Sequence, residues 1–299
     1  MKLQSTATCH LKPSCILITG ASSGIGAALA VGYAAPGTTL YLLGRDKTRL
    51  EAVASECRTR GAQVECASVD VTDKAAMADA IARMDDAAPI DVVIANAGIS
   101  TSFLPPPERG RQGGGQDNEH ITHERKIEYH VTPTQPSPLQ GEGSALAEQV
   151  FAVNFAGVIH TIHPLIERMK ARGRGHIAIM SSLAGICALP SAPAYSASKA
   201  AVRVYGDALR GMLKSHNVHV SVICPGWIST PLTDKNHFPM PLIMPVERAI
   251  HIIMRNLEKK KARIAFPFSL YALLHVLAFL PVTARDFLLQ RISAKAHKS

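Results

Sequence analysis

Cys15-Ile-Leu-Ile-Thr19, continuing as Gly20-Ala21-Ser22-Ser23-Gly24-Ile25-Gly26, is the stretch that decides the fold. A short apolar run stops at a turn rich in Gly and Ser, and an Ala-rich helical stretch, Ile25 to Ala34, opens directly behind it. Strand, glycine turn and helix in immediate succession are the beginning of a βαβ unit. Small residues let the backbone approach a pyrophosphate, and a helix N-terminus presents free N–H groups and the positive end of its dipole. The plainer alternative at this point is an ordinary tight βα turn.

The rhythm continues outward from that turn. Thr39 to Leu43, Gln63 to Ala67 and Asp91 to Ala95 read as strands, and Lys47 to Arg60 and Asp73 to Met84 as helices. Further on, Ala145 to Ala171 reads as one long helix and His176 to Met180 as a strand. Ala194 to Ser215 is again helical, Val218 to Cys224 extended, Val246 to Lys260 helical and Arg263 to Phe266 a last strand. Alternation of this kind specifies a doubly wound parallel sheet with helices on both faces. One stretch breaks it: residues 105–144 hold Pro105-Pro-Pro107, Gly113-Gly-Gly115 and unpatterned charge, and are expected to be a disordered or loosely packed insertion. The expected organisation is an N-terminal extension (1–13), one α/β domain (14–266) carrying the insertion, and a tail (267–299) that is apolar and then basic.

Composition narrows the function. The chain has 299 residues, 47% hydrophobic, enough for one sizeable α/β core with additions. Aromatic residues are only 5%, which argues against a base-stacking nucleic-acid surface, so the net charge of +9 points to an anionic cofactor or surface. The six cysteines form no C-x-x-C pair and the 13 histidines are scattered. The thiols are therefore expected to be reduced and the protein cytoplasmic, with no metal site. His160 and His163, three apart, are expected to have ordinary core or surface roles.

Four segments in a fixed order carry a resemblance: Thr19-Gly20-x-x-x-Gly24-Ile25-Gly26, then Asn96-Ala97-Gly98, then Ser182 with Tyr195-Ser-Ala-Ser-Lys199, then Pro225-Gly226. Together they are similar to the short-chain dehydrogenase/reductase family, over roughly residues 13 to 266 apart from the insertion. The resemblance implies a Rossmann-like fold and an oxidoreductase using a nicotinamide dinucleotide. It implies cofactor contacts from Thr19, Gly20, Ser22, Ser23, Gly24, Ile25 and Gly26; from Asp70, near the adenine, and Val71; and from Asn96, Ala97 and Gly98. Tyr195 and Lys199, Pro225, Gly226 and Ile228, and Thr230 near the nicotinamide complete that set. Tyr195 and Lys199 stand four apart on a predicted helix and so share one face. The ammonium is expected to lower the phenol's pKa from about 10 and poise it as an acid–base group. Ser182 would hold the substrate oxygen, with Ser181 the runner-up, and Asn154 resembles the helix Asn that relays protons to the lysine.

Cofactor choice rests on the end of the second strand. Gly44 stands where the family's acid would be, and Arg45 follows. With no carboxylate to repel a 2′-phosphate and a guanidinium placed to bind one, NADP(H) is expected in preference to NAD(H). A solvated surface arginine is the alternative, and Ser23 stands where NADP(H)-preferring members often carry a basic residue. The loop from Trp227 to Met244 is rich in Leu, Ile, Met, Phe and Pro, which suits a hydrophobic carbonyl or secondary alcohol. The apolar segment Ile264 to Val282 lies between Lys259-Lys-Lys261 and the basic end, so peripheral membrane contact through 259–299 is weighed against a pocket cap or a subunit contact. Homo-oligomers follow from the family pattern. The alternatives in other classes are a non-catalytic dinucleotide sensor and a membrane-associated scaffold.

Overall fold

The structure is a computed structural model that describes residues 14–100, 144–233, 240 and 242–288. The N-terminal extension, nearly all of the expected insertion, loop residues Phe238, Pro239 and Pro241, and the end of the tail lie outside the described residues.

Seven parallel strands form one sheet. In chain order they are β1 (Cys15–Thr19), β2 (Thr39–Gly44), β3 (Gln63–Ser68), β4 (Val92–Ala95), β5 (Gly175–Met180), β6 (Val218–Pro225) and β7 (Arg263–Phe266). Their spatial order is β3-β2-β1-β4-β5-β6-β7, so the winding reverses between β1 and β4. Strands covered on both faces need apolar residues at every position. β1 shows this: Leu17 enters the core on one face with Leu165 and Ile177, while Ile16 and Ile18 enter the other with Leu29 and Ile253.

The covering helices are α1 (Gly24–Tyr33), α2 (Lys47–Thr59), α3 (Lys74–Ala87), α4 (Ser144–Phe151), α5 (Gly157–Arg172), α6 (Pro193–Leu213), α7 (Val246–Glu258) and α8 (Phe268–Phe279). Asp46 and Asp73 accept the N–H groups of Arg49 and Ala76, capping α2 and α3.

Two differences from the sequence reading, at Asp91 and in the long helix, have clear causes, and the tail is expected from sequence to be apolar but not to span. Asp91 does not join β4, because its carboxylate accepts from the Ser14 N–H and hydroxyl at 3.0 and 2.7 Å and ties the start of β1 to β4. The long helix is not uniform: Ala152–Ala156 is a single π turn between α4 and α5, with buried Asn154 within it. The apolar tail contributes a helix of only 12 residues, α8, short of the roughly 20 a membrane span needs. Leu270, Tyr271 and Leu274 of α8 pack on Leu183, Val222 and Cys224, whereas Phe268, Val276 and Phe279 are exposed. Among the described residues, only the run Ser144–Arg172 is long and apolar enough to cross a membrane, and its Val158, Ile162, Leu165 and Met169 are core residues.

The described cysteines are free, and no metal-ligand cluster occurs among the described residues. His160 Nδ1 lies 2.9 Å from the Val71 carbonyl and His163 Nε2 is 2.8 Å from the Tyr205 hydroxyl. His176 is the more consequential histidine. It is buried with Nε2 2.7 Å from Ser221 Oγ, which donates to the Lys261 carbonyl. Burial, with His219 and Lys260 nearby, holds its pKa at about 4, below the ordinary 6.5. The folded protein therefore keeps the ring neutral while the unfolded chain takes up a proton. The stabilisation is complete above pH 6.5 and is lost as pH falls toward 4, a change of about 3 kcal/mol. His176→Asn should flatten the fall in Tm between pH 6.5 and 4, measured by thermal denaturation. Equal slopes in the two proteins would assign the acid sensitivity to other groups.

Candidate active site

The C-terminal ends of β1 and β4 part at the reversal of winding, the place where open α/β sheets bind ligands. The Thr19 hydroxyl accepts the N–H groups of both Asn96 and Ala97, at 3.1 and 3.2 Å. The Asn96 amide donates back to the Thr19 carbonyl at 3.0 Å. This bracket leaves no room for side chains on the turn. A Cβ on Gly20 would stand 2.9 Å from Ala97 Cα, and one on Gly26 only 2.3 Å from the Gly20 carbonyl oxygen. Gly20 and Gly24 also have φ of +66° and +56°, where only glycine sits without strain. Ser23 begins α1 without a side-chain capping bond, so the first-turn N–H groups receive no side-chain acceptor. A cradle of bare backbone at a helix N-terminus fits a dinucleotide's phosphates.

The expected adenosine end gathers beside it. A Cβ on Gly44 would meet Ser22 Oγ at 3.3 Å, so Ser22 and the end of β2 adjoin. Arg45 is largely exposed, with Nη1 3.5 Å from an Asp70 oxygen. Burial works to raise the Asp70 pKa, but hydrogen bonds from Thr72 and the charge of Arg45 outweigh it and hold the carboxyl below its usual range. Val71 is buried against Gly157, and Ile25 packs into the core below the turn.

On the opposite side stand the four residues expected to carry the chemistry. Asn154, in the π turn, is fully buried. Its Oδ1 accepts the Ile99 N–H at 2.8 Å, and its Nδ2 donates to the Ile99 carbonyl and to Ser198 Oγ at 2.9 and 3.0 Å. Ser198 in turn donates to the Tyr195 carbonyl at 2.8 Å. Lys199 Nζ donates to the Met180 carbonyl at 3.0 Å and lies 5.7 Å from the centre of the Tyr195 ring. A Cβ on Gly98 would come within 3.2 Å of both Asn154 Oδ1 and Lys199 Nζ, so glycine there keeps the floor of the cleft open.

The electrostatics depart from the sequence expectation. Burial pushes the Tyr195 phenol above 10, and a hydrogen bond with Ser182 opposes that rise without cancelling it. Burial also lowers the Lys199 ammonium to about 8. Desolvation is the largest influence on both groups and disfavours both charged forms here.

The structure separates the two serines. The Ser181 hydroxyl donates to the Lys199 carbonyl at 2.7 Å and is buried, which makes it a structural tie. Ser182 Oγ accepts the Ala184 N–H at 3.1 Å and makes a long donation to the Pro225 carbonyl at 3.5 Å, beside Tyr195. On the β6 side, Gly226 N–H donates to the Phe266 carbonyl, and a Cβ on Gly226 would meet Pro267 and Leu270. Ile228 bridges to Met244, and Thr230, buried, is fixed by Thr233 Oγ1 at 3.0 Å and lies next to Gly24.

Sequence reasoning missed Gly185, Ser198 and Arg203. Ser198 lay inside Tyr195-Ser-Ala-Ser-Lys199, and its place one residue before the lysine was the available signal. Gly185 had none. Arg203 Nε holds the Gly185 carbonyl at 3.0 Å, and Asp207 pairs with Arg203, Arg210 and Arg263.

The comparisons with known proteins agree with this geometry. The family model described as short chain dehydrogenase matches residues 14–112 and 134–238. An uncharacterized oxidoreductase of Myxococcus xanthus is 31% identical over 255 residues, covering 85% of this chain and 87% of the relative. The 1-deoxy-11-beta-hydroxypentalenate dehydrogenase of Streptomyces exfoliatus is 31% identical over 229 residues, 75% of this chain and 70% of its own. A short-chain dehydrogenase from Sphingobium yanoikuyae, solved in complex with NADPH, superposes with a TM-score of 0.69 at 25% identity, covering 92% of this chain and 95% of that one. The chain belongs to the short-chain dehydrogenase/reductase family. It is an NAD(P)-dependent oxidoreductase that acts on a small-molecule substrate.

A Cβ at Gly185 would stand 2.6 Å from the Lys199 carbonyl carbon, a backbone atom that cannot yield. Gly185→Ala should therefore lower kcat/KM at least tenfold, about 1.4 kcal/mol of barrier, in a protein that remains folded by circular dichroism. Retained activity would show that the segment after β5 can shift without disturbing Lys199.

Proposed function

We propose that the chain interconverts an apolar carbonyl compound and its alcohol with NADP(H), with NAD(H) the weaker cofactor. The observation that supports this reading is the network that joins Asn154 through Ser198 to Tyr195, with Ser182 hydrogen-bonded to Tyr195, Lys199 5.7 Å from its ring and Gly98 beside Asn154 and Lys199. Bound nicotinamide dinucleotide supplies or accepts hydride in this chemistry. The chain's own groups manage the substrate oxygen and the proton. Ser182, already accepting from Ala184, turns its hydroxyl proton from the distant Pro225 carbonyl to that oxygen. Tyr195, kept neutral by burial, gives its phenolic proton to the oxygen in the reducing direction and recovers it in the oxidising one. Lys199 holds an exchangeable proton close to the phenol, and Asn154 keeps its helix in register through Ile99 and Ser198.

Arg45 would pair with the 2′-phosphate that NAD lacks, exchanging its contact with Asp70 for a stronger one. The NADPH complex of the Sphingobium relative supports the same preference. The apolar substrate class is supported by Leu183, Ile186, Leu270, Tyr271 and Leu274, which cluster beside Ser182 and Gly226. α8 acts as the cap of that pocket in this reading, and Arg285 beyond it comes near enough to influence Cys187. Peripheral membrane contact through the exposed face of α8 is the weaker alternative. A cytoplasmic location, a homo-oligomeric state and a spacer role for 105–144 belong to the same reading. The family model's omission of 113–133 supports the last of these.

Tyr195→Phe should reduce kcat/KM by more than tenfold with the dissociation constant for NADPH nearly unchanged, since only the transferable proton is removed. A smaller loss, under about 1.4 kcal/mol, would remove Tyr195 from the acid's role. NADPH should bind more tightly than NADH, and Arg45→Ala should erase most of the difference, a charge-assisted contact of about 1.5–3 kcal/mol. Calorimetric titration giving equal constants for both cofactors in the unmutated protein would end the NADP(H) assignment.

A further inference from the structure

Outside the cleft, the most concentrated charge lies along α7 and the turn behind it. Residues 246–263 carry six Lys or Arg against Glu247 and Glu258, a net +4 of the chain's +9. Arg248, His251, Arg255, Asn256, Lys259 and Lys261, together with the apolar Ile252, line one concavity of about 670 Å³, and neither glutamate borders it. The spacing explains the convergence, because positions 248, 251, 255 and 259 recur at three or four residues and share one helix face. The opposite face is spent on the core: Ala249, Ile253 and Leu257 are buried.

The dipole of α7 accounts for part of this pattern. Cations in the last turn favour the carbonyl end of a helix, which covers Arg255 and Lys259. It does not cover Arg248 and His251, two turns earlier. Neutralisation by acids does not account for it either: among the described residues, no carboxylate forms an ion pair with Arg248, Arg255, Lys259 or Lys261. Asn256 turns its amide back to the Ile252 carbonyl at 2.7 Å, so the cations set the chemistry. A second copy of the chain is a poor occupant, since a two-fold contact would oppose the same positive charges. A flat bilayer would meet only the rim of a concavity.

We propose that this groove is a second anion site, distinct from the cofactor cleft, that takes a soluble ligand bearing two or more phosphates. The charged stripe from Arg248 to Lys259 runs about 16 Å along the helix, longer than one phosphate can span. Arg and Lys with a His ring suit phosphate oxygens, the two arginines by paired N–H donors.

The test is calorimetric titration of the full chain with inorganic tripolyphosphate, alongside vesicles of phosphatidylcholine with and without phosphatidylglycerol. Arg248→Gln with Arg255→Gln should weaken tripolyphosphate binding at least tenfold, with Tm and kcat/KM unchanged because both residues are exposed and outside the cleft. Arg45→Ala should leave a tripolyphosphate site of undiminished affinity, which separates this groove from the cofactor reading. Loss of all binding in Arg45→Ala, equal affinity in the double variant, or binding to phosphatidylglycerol vesicles but not to tripolyphosphate would each overturn the proposal.

Discussion

The Thr19 hydroxyl receives two backbone N–H groups from the strand across the sheet's reversal point, and much of the cleft's geometry follows from that small bracket. It holds β1 and β4 at a separation where the Gly20 backbone nearly touches Ala97. At that distance the turn tolerates no Cβ at Gly20 or Gly26, so packing alone dictates glycine at both positions. The same close approach puts Gly98 against Asn154 and Lys199, linking the glycine turn to the Tyr195–Lys199 side through backbone and short polar bonds.

Burial then sets the chemistry of that side. A half-exposed Tyr–Lys pair would favour phenolate and ammonium together, but here both groups are desolvated and both charged forms are disfavoured. Burial thus holds the phenol in its neutral form and brings the lysine down to about 8. The arrangement tolerates this because the polar atoms are satisfied: Met180 receives the Lys199 ammonium, Ser198 bridges Asn154 to the Tyr195 carbonyl, and Ser181 ties down the Lys199 carbonyl. Burying such groups without partners would cost about 1–3 kcal/mol each.

The outer layer follows different rules. α7 faces the core with small and branched aliphatic residues and faces solvent with cations, of which only those near its C-terminal end answer to the helix dipole. α8 does the reverse: it leaves Phe268, Val276 and Phe279 exposed while its other side closes over Leu183 and Gly226. Both elements sit near the β7 edge, and they give that end of the molecule properties that the central sheet does not share.

The alternation of apolar strands and helices, the glycine turn, and the order of the motifs around Asn96, Tyr195 and Pro225 were legible in the sequence, because each depends on local periodicity or on residues close together in the chain. The doubly wound class followed from them, whereas the choice of Ser182 over Ser181 rested on resemblance alone. What the sequence could not convey were the contacts between residues far apart. The π turn at Asn154, the packing of Gly185 on the Lys199 carbonyl, the Arg203–Asp207 support and the raised pKa of Tyr195 all depend on which surfaces meet and how much water is excluded there. Spacing along a helix placed Tyr195 beside Lys199; only the tertiary structure decided that desolvation, and not their mutual attraction, governs both groups.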